Sequence, residues 1–481
     1  MDVECILKMG PELEDFLQEF SACCGSEIHS HVHTYVSGQV SLIDRKKVEQ
    51  IALHSMTVPR TLQEFLASYQ WDHERMRIRI QQIVARDQSQ GNSVGIVDET
   101  SFAKKGDKTP GVQRQWCGES GKTDNCVVSV HLSYAHDDFH CLVDEDLYLP
   151  ESWSADRARC RAARIPDDVV YRPKTEIALE QHQRATENGI VFKWLTFDEW
   201  YGAKPAFLET LDSRKQAFVG EIPGNFRVWL DQPRVTDRPW RKKGSRGSGR
   251  KTPRLVAGTP QTKKVQECFE QSPVFTEQAW EPWHVKDTQK GPKVVEVKRA
   301  TVFRKNPDGL PSSANQLLVV RDVNTPQTVK YFLSNSQPKT KTGPLLKVGF
   351  SRWRVERCFE DDKSYIGMGE FQGRTYPGFL RHLILSAVSL LFLARMRELF
   401  LTQYPELTIS QLKQATSALF ESLNLTRASA QRVLEAAAFK LQYYQRRNRQ
   451  ARQSHAKTRK RKLSAMGVDM TTINQCCWDT S

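Results

Sequence analysis

Apolar residues recur at every third or fourth position from about residue 11 to residue 90, which is the spacing of one buried helix face. We expect breaks between the helices at Gly38 and Pro59. Residues 1–90 are therefore predicted to form a small helical domain. The segments that show the spacing most clearly are LEDFLQEF, RKKVEQIALHSM, TLQEFLASY and RMRIRIQQIV.

From residue 93 the pattern changes to short apolar or alternating segments, which are typical of strands. Three such segments come first, and a turn is expected at Asp137 and Asp138, between the second and the third. A helix is then predicted over 173–189, followed by a fourth strand, a short helix and a fifth strand. This order of elements is that of a ribonuclease-H-like α/β domain. The strand segments are SVGIVDE, CVVSVHLSYAH, HCLVDEDLYLP, VFKWLTFD and QAFVGEIP.

Regular patterning stops at Phe226, and the stretch RPWRKKGSRGSGRKTPRL that follows has the composition of a loop. Alternation returns between residues 265 and 350 and predicts a β-rich insertion. Helical spacing resumes in SRWRVERCFEDDK, continues in an apolar helix at 380–400, and extends through 408–462. The predicted regions are a helical N-terminal domain (1–90), a ribonuclease-H-like catalytic domain (91–225 with 350–400), a basic loop with the β-rich insertion (226–349), and a helical, basic C-terminal region (401–481).

Positive charge is concentrated in two stretches of the chain, whose formal net charge is +14. Ten Lys or Arg and no acid lie between Lys440 and Lys462, and the same holds between Arg238 and Lys264. These stretches together exceed the surplus of the whole chain, so the remainder carries no excess of positive charge. A body with two basic segments indicates a nucleic acid partner.

No secretory signal is recognisable at the N-terminus, and the apolar run LILSAVSLLFLA at 383–394 is shorter than a membrane span. The eleven cysteines contain no CxxC pair, which favours reduced thiols over a zinc site. We therefore expect a cytoplasmic protein that has no membrane contact.

Three acidic residues are candidates for catalysis. The first and fourth strands of a ribonuclease-H-like sheet are neighbours, and Asp98 and Asp198 are predicted at their ends. Glu356 lies on the first helix after the β-rich segment. Carboxylates that converge repel one another unless a cation binds, and their oxygen atoms suit Mg²⁺ or Mn²⁺. Two such ions would activate a water or a 3′-hydroxyl and stabilise the leaving oxygen of a phosphodiester.

The predicted helix around Glu356 places Arg352 four residues before it and Lys363 seven residues after it, on one face. Both cations would contact phosphate there, while Val355 and Phe359 would point toward the sheet. Each feature also has an ordinary structural explanation. A strand-terminal Asp is commonly a turn or helix cap, and a charged helix commonly carries ion pairs between successive turns.

Four long motifs resemble the transposases of bacterial insertion sequences, most closely insertion-sequence family seven hundred and one of the DDE superfamily. The resemblance covers nearly the whole chain and implies a metal-dependent nuclease and strand-transferase of the cut-and-paste type. The motifs are VGIVDETSFAKKGDKTPGVQRQWCGESGKTDNCVVSVHLSYA, DLYLPESWSADRARCRAARIP, WLTFDEWYG and RWRVERCFEDDKSYIGMGEFQGRTYPGFLRHLILSAVSLLFL.

The resemblance implies a role for each acid. Asp98 and Asp198 match the two catalytic Asp residues of the family, and Glu356 matches the Glu of a Tyr-Arg-Glu-Lys signature. Arg352 and Lys363 match the Arg and Lys of that signature. Its Tyr would fall at Gly349, so this chain departs from the pattern there.

The implied partners are the terminal inverted repeats of an element and a target duplex, held by a homodimer in the bacterial nucleoid. Two alternatives are a catalytically inactive DNA-binding relic and a ribonuclease-H-like nuclease without strand transfer. Contacts with DNA are expected from the N-terminal helices and the β-rich segment. The basic tail should bind phosphate with little regard to sequence, so its deletion should weaken binding sharply. Further phosphate contacts are expected from Lys104, Lys105, Arg114, Arg446, Arg447 and Arg449.

Overall fold

A computed structural model describes residues 1–88, 91–238, 252–423 and 425–478. The chain forms two compact units. The first unit comprises Met1–Phe192 and Trp353–Ala451, and the second unit comprises Lys193–Arg352 and Arg452–Ser481.

The elements are numbered here in chain order. The helices are α1 (Val3–Gln18), α2 (Ser26–Val40), α3 (Val48–His54), α4 (Pro59–Ala67), α5 (His73–Gln88), α6 (Glu151–Ser154), α7 (Arg157–Ala162), α8 (Lys174–Glu187), α9 (Glu199–Gly202), α10 (Pro205–Ser213), α11 (Val265–Gln271), α12 (Pro273–Thr276), α13 (Thr342–Gly349), α14 (Trp353–Asp361), α15 (Tyr376–Leu401), α16 (Ile409–Leu423) and α17 (Arg427–Ala465). Short 3₁₀ turns lie at Ser21–Cys23 and Met368–Glu370, and a π-helical turn lies at Asp362–Ile366.

The strands are β1 (Val94–Ala103), β2 (Gln113–Cys117), β3 (Lys122–His136), β4 (Phe139–Leu147), β5 (Trp194–Thr196), β6 (Val219–Ile222), β7 (Arg227–Trp229), β8 (Val235–Thr236), β9 (Arg254–Leu255), β10 (Lys263–Lys264), β11 (Glu281–Thr288), β12 (Gly291–Arg304), β13 (Asn315–Asp322), β14 (Thr325–Ser334) and β15 (Asn474–Gln475).

The first 88 residues are helical, as the spacing of apolar residues predicts. Pro59 is the first residue of α4, where the missing N–H costs nothing. The predicted break at Gly38 is wrong, because α2 continues through this residue to Val40. A Cβ atom at Gly38 would lie 2.5 Å from the Cγ2 atom of Ile51, so the glycine serves the close packing of α2 on α3.

The sheet of the first unit is centred on β3, which pairs antiparallel with β1, β2 and β4. The three strands predicted in this region are present, and the turn between β3 and β4 falls at Asp137, whose φ is 45°. The strand β2 was not predicted. Its short sequence QRQWC is mostly polar, so it carries little of the apolar signal on which strand prediction depends.

Helices pack on both faces of this sheet. The helix α8 contacts β3 and β4, and the Gln181 side chain donates to the carbonyl of Val130 (2.8 Å). The helices α14 and α15 contact β4, and α14 also contacts β1. The rings of Phe102 on β1 and Phe379 on α15 meet edge to face, with centroids 6.3 Å apart. The sheet thereby lies between two layers of helices, with α8 on one face and with α14 and α15 on the other.

The helix α15 is the core helix of the first unit. It has 26 residues, which is longer than the apolar run recognised in the sequence, and it is apolar enough to cross a membrane by length and composition. However, 94% of its most apolar window is buried inside the protein. A buried core helix meets the same criteria, and packing therefore accounts for its composition.

The second unit is built around an antiparallel sheet. Its strands follow the order β10-β7-β12-β13-β14-β6, with β11 also paired to β12 and β15 paired to β11. The long strands predicted between residues 265 and 350 are β12, β13 and β14. A parallel bridge joins Leu195 on β5 to Phe218 just before β6.

The helix α17 ends in the core of the second unit. Its Leu463 is buried and clusters with Val294, Val323 and Ile473. A deletion of the basic tail through residue 462 would therefore remove part of the helix that carries this core side chain. The DNA contacts of the tail are better tested by replacing its charges than by deleting it.

Candidate active site

Asp98 lies in the middle of β1 and not at its end, which corrects the position expected from the sequence. The strand continues to Ala103 because its last residues still pair with β3 and because Phe102 is buried. Asp98 is half-buried, and its Oδ1 atom accepts a hydrogen bond from the Glu99 N–H (2.8 Å). The Glu99 side chain forms an ion pair with Lys174, the first residue of α8. Because successive side chains of a strand alternate, Asp98 faces the opposite side of the sheet from α8.

Glu356 lies on α14, in the layer opposite α8. Val355 and Phe359 are buried, as predicted, while Glu356 is exposed. The ring of Phe359 meets that of His131 on β3, and His131 is the direct partner of Asp98 in the sheet. The structure therefore places the helix that carries Glu356 on the face of the sheet to which Asp98 points.

Asp198 lies two residues after β5, in the second unit. It is the N-cap of α9, and its Oδ1 atom accepts hydrogen bonds from the N–H groups of Trp200 (3.0 Å) and Tyr201 (3.2 Å). The ordinary role of an Asp that follows a strand, a helix cap, is thus present here.

The three acids are divided between the two units of the chain. Asp98 and Glu356 belong to the first unit and Asp198 to the second, so their convergence stays a prediction. Within the described parts of the chain, no three His, Cys, Asp or Glu side chains form a group that could hold a metal ion. The donor type itself suits Mg²⁺, because carboxylate oxygens are hard ligands and Glu356 is open to solvent.

The regular helix around Glu356 is shorter than predicted, and the common face of Arg352, Glu356 and Lys363 stays a prediction. The regular helix begins at Trp353 and ends at Asp361, so Arg352 precedes it and Lys363 lies in the π-helical turn. The Lys363 ammonium donates to the carbonyl of Ser101 on β1 (2.9 Å), and burial lowers its pKa. Lys363 therefore ties the end of α14 to the strand of Asp98, and phosphate contact by either cation stays a prediction.

The three cations expected after the first acid differ in their surroundings. The Lys104 ammonium donates to the carbonyls of Gly369 (3.1 Å) and Phe371 (2.7 Å), and burial lowers its pKa to about 8. Lys104 therefore holds the segment that precedes α15. Lys105 and Arg114 are exposed, which leaves them as the candidates for phosphate contact.

The structure describes the whole basic stretch from Lys440 to Lys462 but only part of the one from Arg238 to Lys264. Arg446, Arg447 and Arg449 are exposed on α17, so phosphate could reach them. Residues 239–251, which carry six of the ten cations between Arg238 and Lys264, lie outside the described residues. The prediction of a basic loop there is not tested.

Gly349, at the position of the signature Tyr, is the last residue of α13 and is buried. A Cβ atom there would lie 3.1 Å from the Phe332 ring and 3.4 Å from the Cγ1 atom of Val219. A side chain at this position therefore requires Phe332 to shift. The glycine at the position of the signature Tyr allows α13 to pack closely against Phe332 and Val219.

A buried charge network on β4 was not predicted from the sequence. Asp144 and Asp146 face α8, and the Arg184 guanidinium donates to both (2.8 and 2.6 Å). Arg77 on α5 lies 3.5 Å from Asp144 and 3.7 Å from Asp146. The two arginines hold the pKa of Asp146 below its ordinary value although burial acts in the other direction. The alternation of acids in the segment DEDL was visible in the sequence, but their buried partners were not.

The family model of DDE superfamily endonucleases matches residues 16–292, more than half of the chain, and the chain belongs to that family. The matched range includes Asp98 and Asp198, while Glu356 lies beyond it. The resemblance recognised in the motifs is thereby confirmed.

A relative of known name points the same way. The chain is 28% identical over 208 residues to the "Probable transposase for insertion sequence element IS701" of Microchaete diplosiphon. The aligned part is 43% of this chain and 52% of the relative, so the chain spans about half the length of the curated relative that it matches.

Proposed function

We propose that this protein is a DNA transposase that cleaves DNA at the ends of an insertion sequence and joins the freed ends to a target duplex. The family match and the similarity to an insertion-sequence transposase support this function. The single structural observation that supports it best is that α14, the helix that carries Glu356, packs on the face of the sheet to which Asp98 points. We also propose a ribonuclease-H-like fold for the catalytic domain, supported by three antiparallel strands followed by a helix and the β5–β6 bridge.

Asp98, Asp198 and Glu356 would together hold two Mg²⁺ or Mn²⁺ ions. Bound divalent ions supply an activated water or 3′-hydroxyl and stabilise the oxygen that leaves the phosphodiester. The chain's own part is to fix the carboxylates. Asp98 sits on a strand paired along its whole length, and Lys363 holds the end of α14 to that strand. A rigid strand and helix keep ligands in place better than loops do.

Double-stranded DNA is the proposed partner, as terminal inverted repeats and as target. The exposed arginines of α17 would contact its phosphates, and joining two ends implies at least a homodimer on DNA. DNA of this kind lies in the bacterial nucleoid, which is where we expect the protein to act.

The test is cleavage of a supercoiled plasmid that carries the flanking element ends, in Mg²⁺, by the wild-type protein and by Glu356→Ala. We expect cuts at the ends by the wild type only. Cuts without joining to a target would favour a nuclease that lacks strand transfer. If the protein binds the ends and never cuts them, it is a DNA-binding relic.

A further inference from the structure

Three polar residues form a line across the sheet of the first unit. His131 on β3 pairs directly with Asp98 on β1 and with Glu145 on β4. Directly paired residues point to the same face of a sheet, with Cβ atoms roughly 4.5–5.5 Å apart. All three side chains therefore point toward the layer that contains α14. His131 is the side chain between the proposed metal ligand Asp98 on β1 and Glu145 on β4.

His131 is fully buried, and its ring is held from two directions. A hydrogen bond joins its Nε2 atom to the Ser129 hydroxyl (2.6 Å). The ring of Phe359 packs against it edge to face, with centroids 5.1 Å apart and an interplanar angle of 68°. Phe359 lies three residues after Glu356 on α14. His131 therefore touches the helix of one proposed ligand and neighbours the other in the sheet.

The ring of His131, the carboxyl of Glu145 paired beside it and the carboxyl of Asp362 just after α14 are all buried polar groups. In the described residues, no hydrogen-bond partner is present for His131 Nδ1, for Glu145 Oε1 or for either Asp362 carboxylate oxygen. His131 and Asp362 are 0% exposed and Glu145 is 1% exposed. Buried polar groups normally find partners, and exceptions call for an explanation. An apolar side chain would fill this space at lower cost, so packing alone does not explain a histidine here.

We propose that His131 is a positioning residue, which sets the spacing between Asp98 on β1 and Glu356 on α14 and thereby the affinity of the site for divalent ions. The inference rests on the proposed function. It assigns to His131 no contact with DNA or with a reacting atom. The ring of His131 contacts Phe359 on α14, and His131 pairs with Asp98 in the sheet. These two contacts connect it to the helix of Glu356 and to the strand of Asp98.

The test compares three variants of the full-length protein. His131→Leu removes both ring nitrogens at similar volume. His131→Gln keeps an amide at the position that bonds Ser129. Val130→Ala is the matched control, because Val130 is also fully buried on β3 but points to the opposite face. Mn²⁺ affinity is measured by electron paramagnetic resonance with element-end DNA present, and melting temperature and DNA affinity are measured alongside.

We expect His131→Leu to bind Mn²⁺ about tenfold more weakly, which is the lower end of the range for residues that support metal ligands. His131→Gln should recover most of the affinity, and DNA affinity should stay within twofold in both. Val130→Ala should lower the melting temperature and leave Mn²⁺ affinity unchanged.

The outcomes separate this inference from the proposed function. An unchanged Mn²⁺ affinity in His131→Leu, or an equal loss in Val130→Ala, would overturn the positioning role even if the wild type cuts DNA. A wild type that binds Mn²⁺ but never cuts would remove the proposed function, and the shift in His131→Leu would still support the role. A wild type that neither binds Mn²⁺ nor cuts would overturn both.

Discussion

Replacing Arg184 by Met should destabilise the first unit strongly, because it breaks the buried charge network on β4. Asp144 is fully buried and the Asp146 side chain is 7% exposed, and Arg184 supplies the shortest contacts to both. Without it, the two carboxylates share Arg77, which lies 3.5 Å from Asp144 and 3.7 Å from Asp146 and also pairs with Glu74. Breaking a buried pair costs roughly 3–5 kcal/mol, and we take the lower end because the Arg184 side chain is 30% exposed.

A loss of about 3 kcal/mol corresponds to a fall of roughly 5 °C in melting temperature for a unit of about 290 residues. Differential scanning calorimetry at neutral pH measures it. Arg60→Met is the control, because Arg60 pairs with Glu64 on the surface of the same unit and such pairs contribute about 0–1 kcal/mol.

A double variant with Arg184→Met and Asp144→Leu tests whether the loss of stability comes from the unpaired carboxylate. It leaves one arginine, Arg77, for one carboxylate, Asp146, and should regain part of the lost stability. The reasoning is refuted if Arg184→Met lies within 1 kcal/mol of the wild type, or if the second substitution deepens the loss.

Three further predictions concern other parts of the chain. Gly349→Tyr restores the signature residue but should destabilise the second unit by about 1–3 kcal/mol through overpacking, without raising cleavage, as denaturant unfolding and plasmid assays would show. Glu145→Gln mimics the protonated acid. Because the pKa of Glu145 is about 8 when folded and near 4 when unfolded, wild-type stability falls as pH rises through that window, so the melting temperature of the variant should exceed that of the wild type increasingly up to pH 8. Changing Arg446, Arg447 and Arg449 to Gln should make the slope of log DNA affinity against log salt concentration shallower, by the equivalent of up to about three phosphate contacts. An unchanged slope would show that these arginines do not contact phosphate.

The sequence predicted elements best where apolar spacing is regular. The N-terminal helices, the strands β3 and β4, and the helices α8 and α15 fall close to the predicted segments. Strand ends were less predictable. The segment after Asp98 contains Thr100 and Ser101, which resemble turn residues, but pairing with β3 buries both and carries the strand on to Ala103.

Contacts between distant residues were not predictable from spacing. The helix around Glu356 was expected to continue through Lys363, yet Lys363 lies in a π-helical turn and its ammonium donates to the carbonyl of Ser101 on β1. Long-range pairing also determines the role of His131, because its neighbours Asp98 and Glu145 come from two other strands. A single histidine in an apolar strand gives no sign of these neighbours.

The central claim is that Asp98 and Glu356 bind the divalent ion that supports cleavage. Its most direct test is a metal switch at each acid, with Asp98→Cys and Glu356→Cys assayed for cleavage of element-end DNA. Thiolates bind Mg²⁺ poorly and accept softer ions. We predict that both variants are inactive in Mg²⁺ and regain cleavage in Mn²⁺, while the control Glu360→Cys, one turn further along α14 and also exposed, cuts in both. Full activity of either variant in Mg²⁺, or no recovery in Mn²⁺ by folded protein that still binds DNA, would contradict the account.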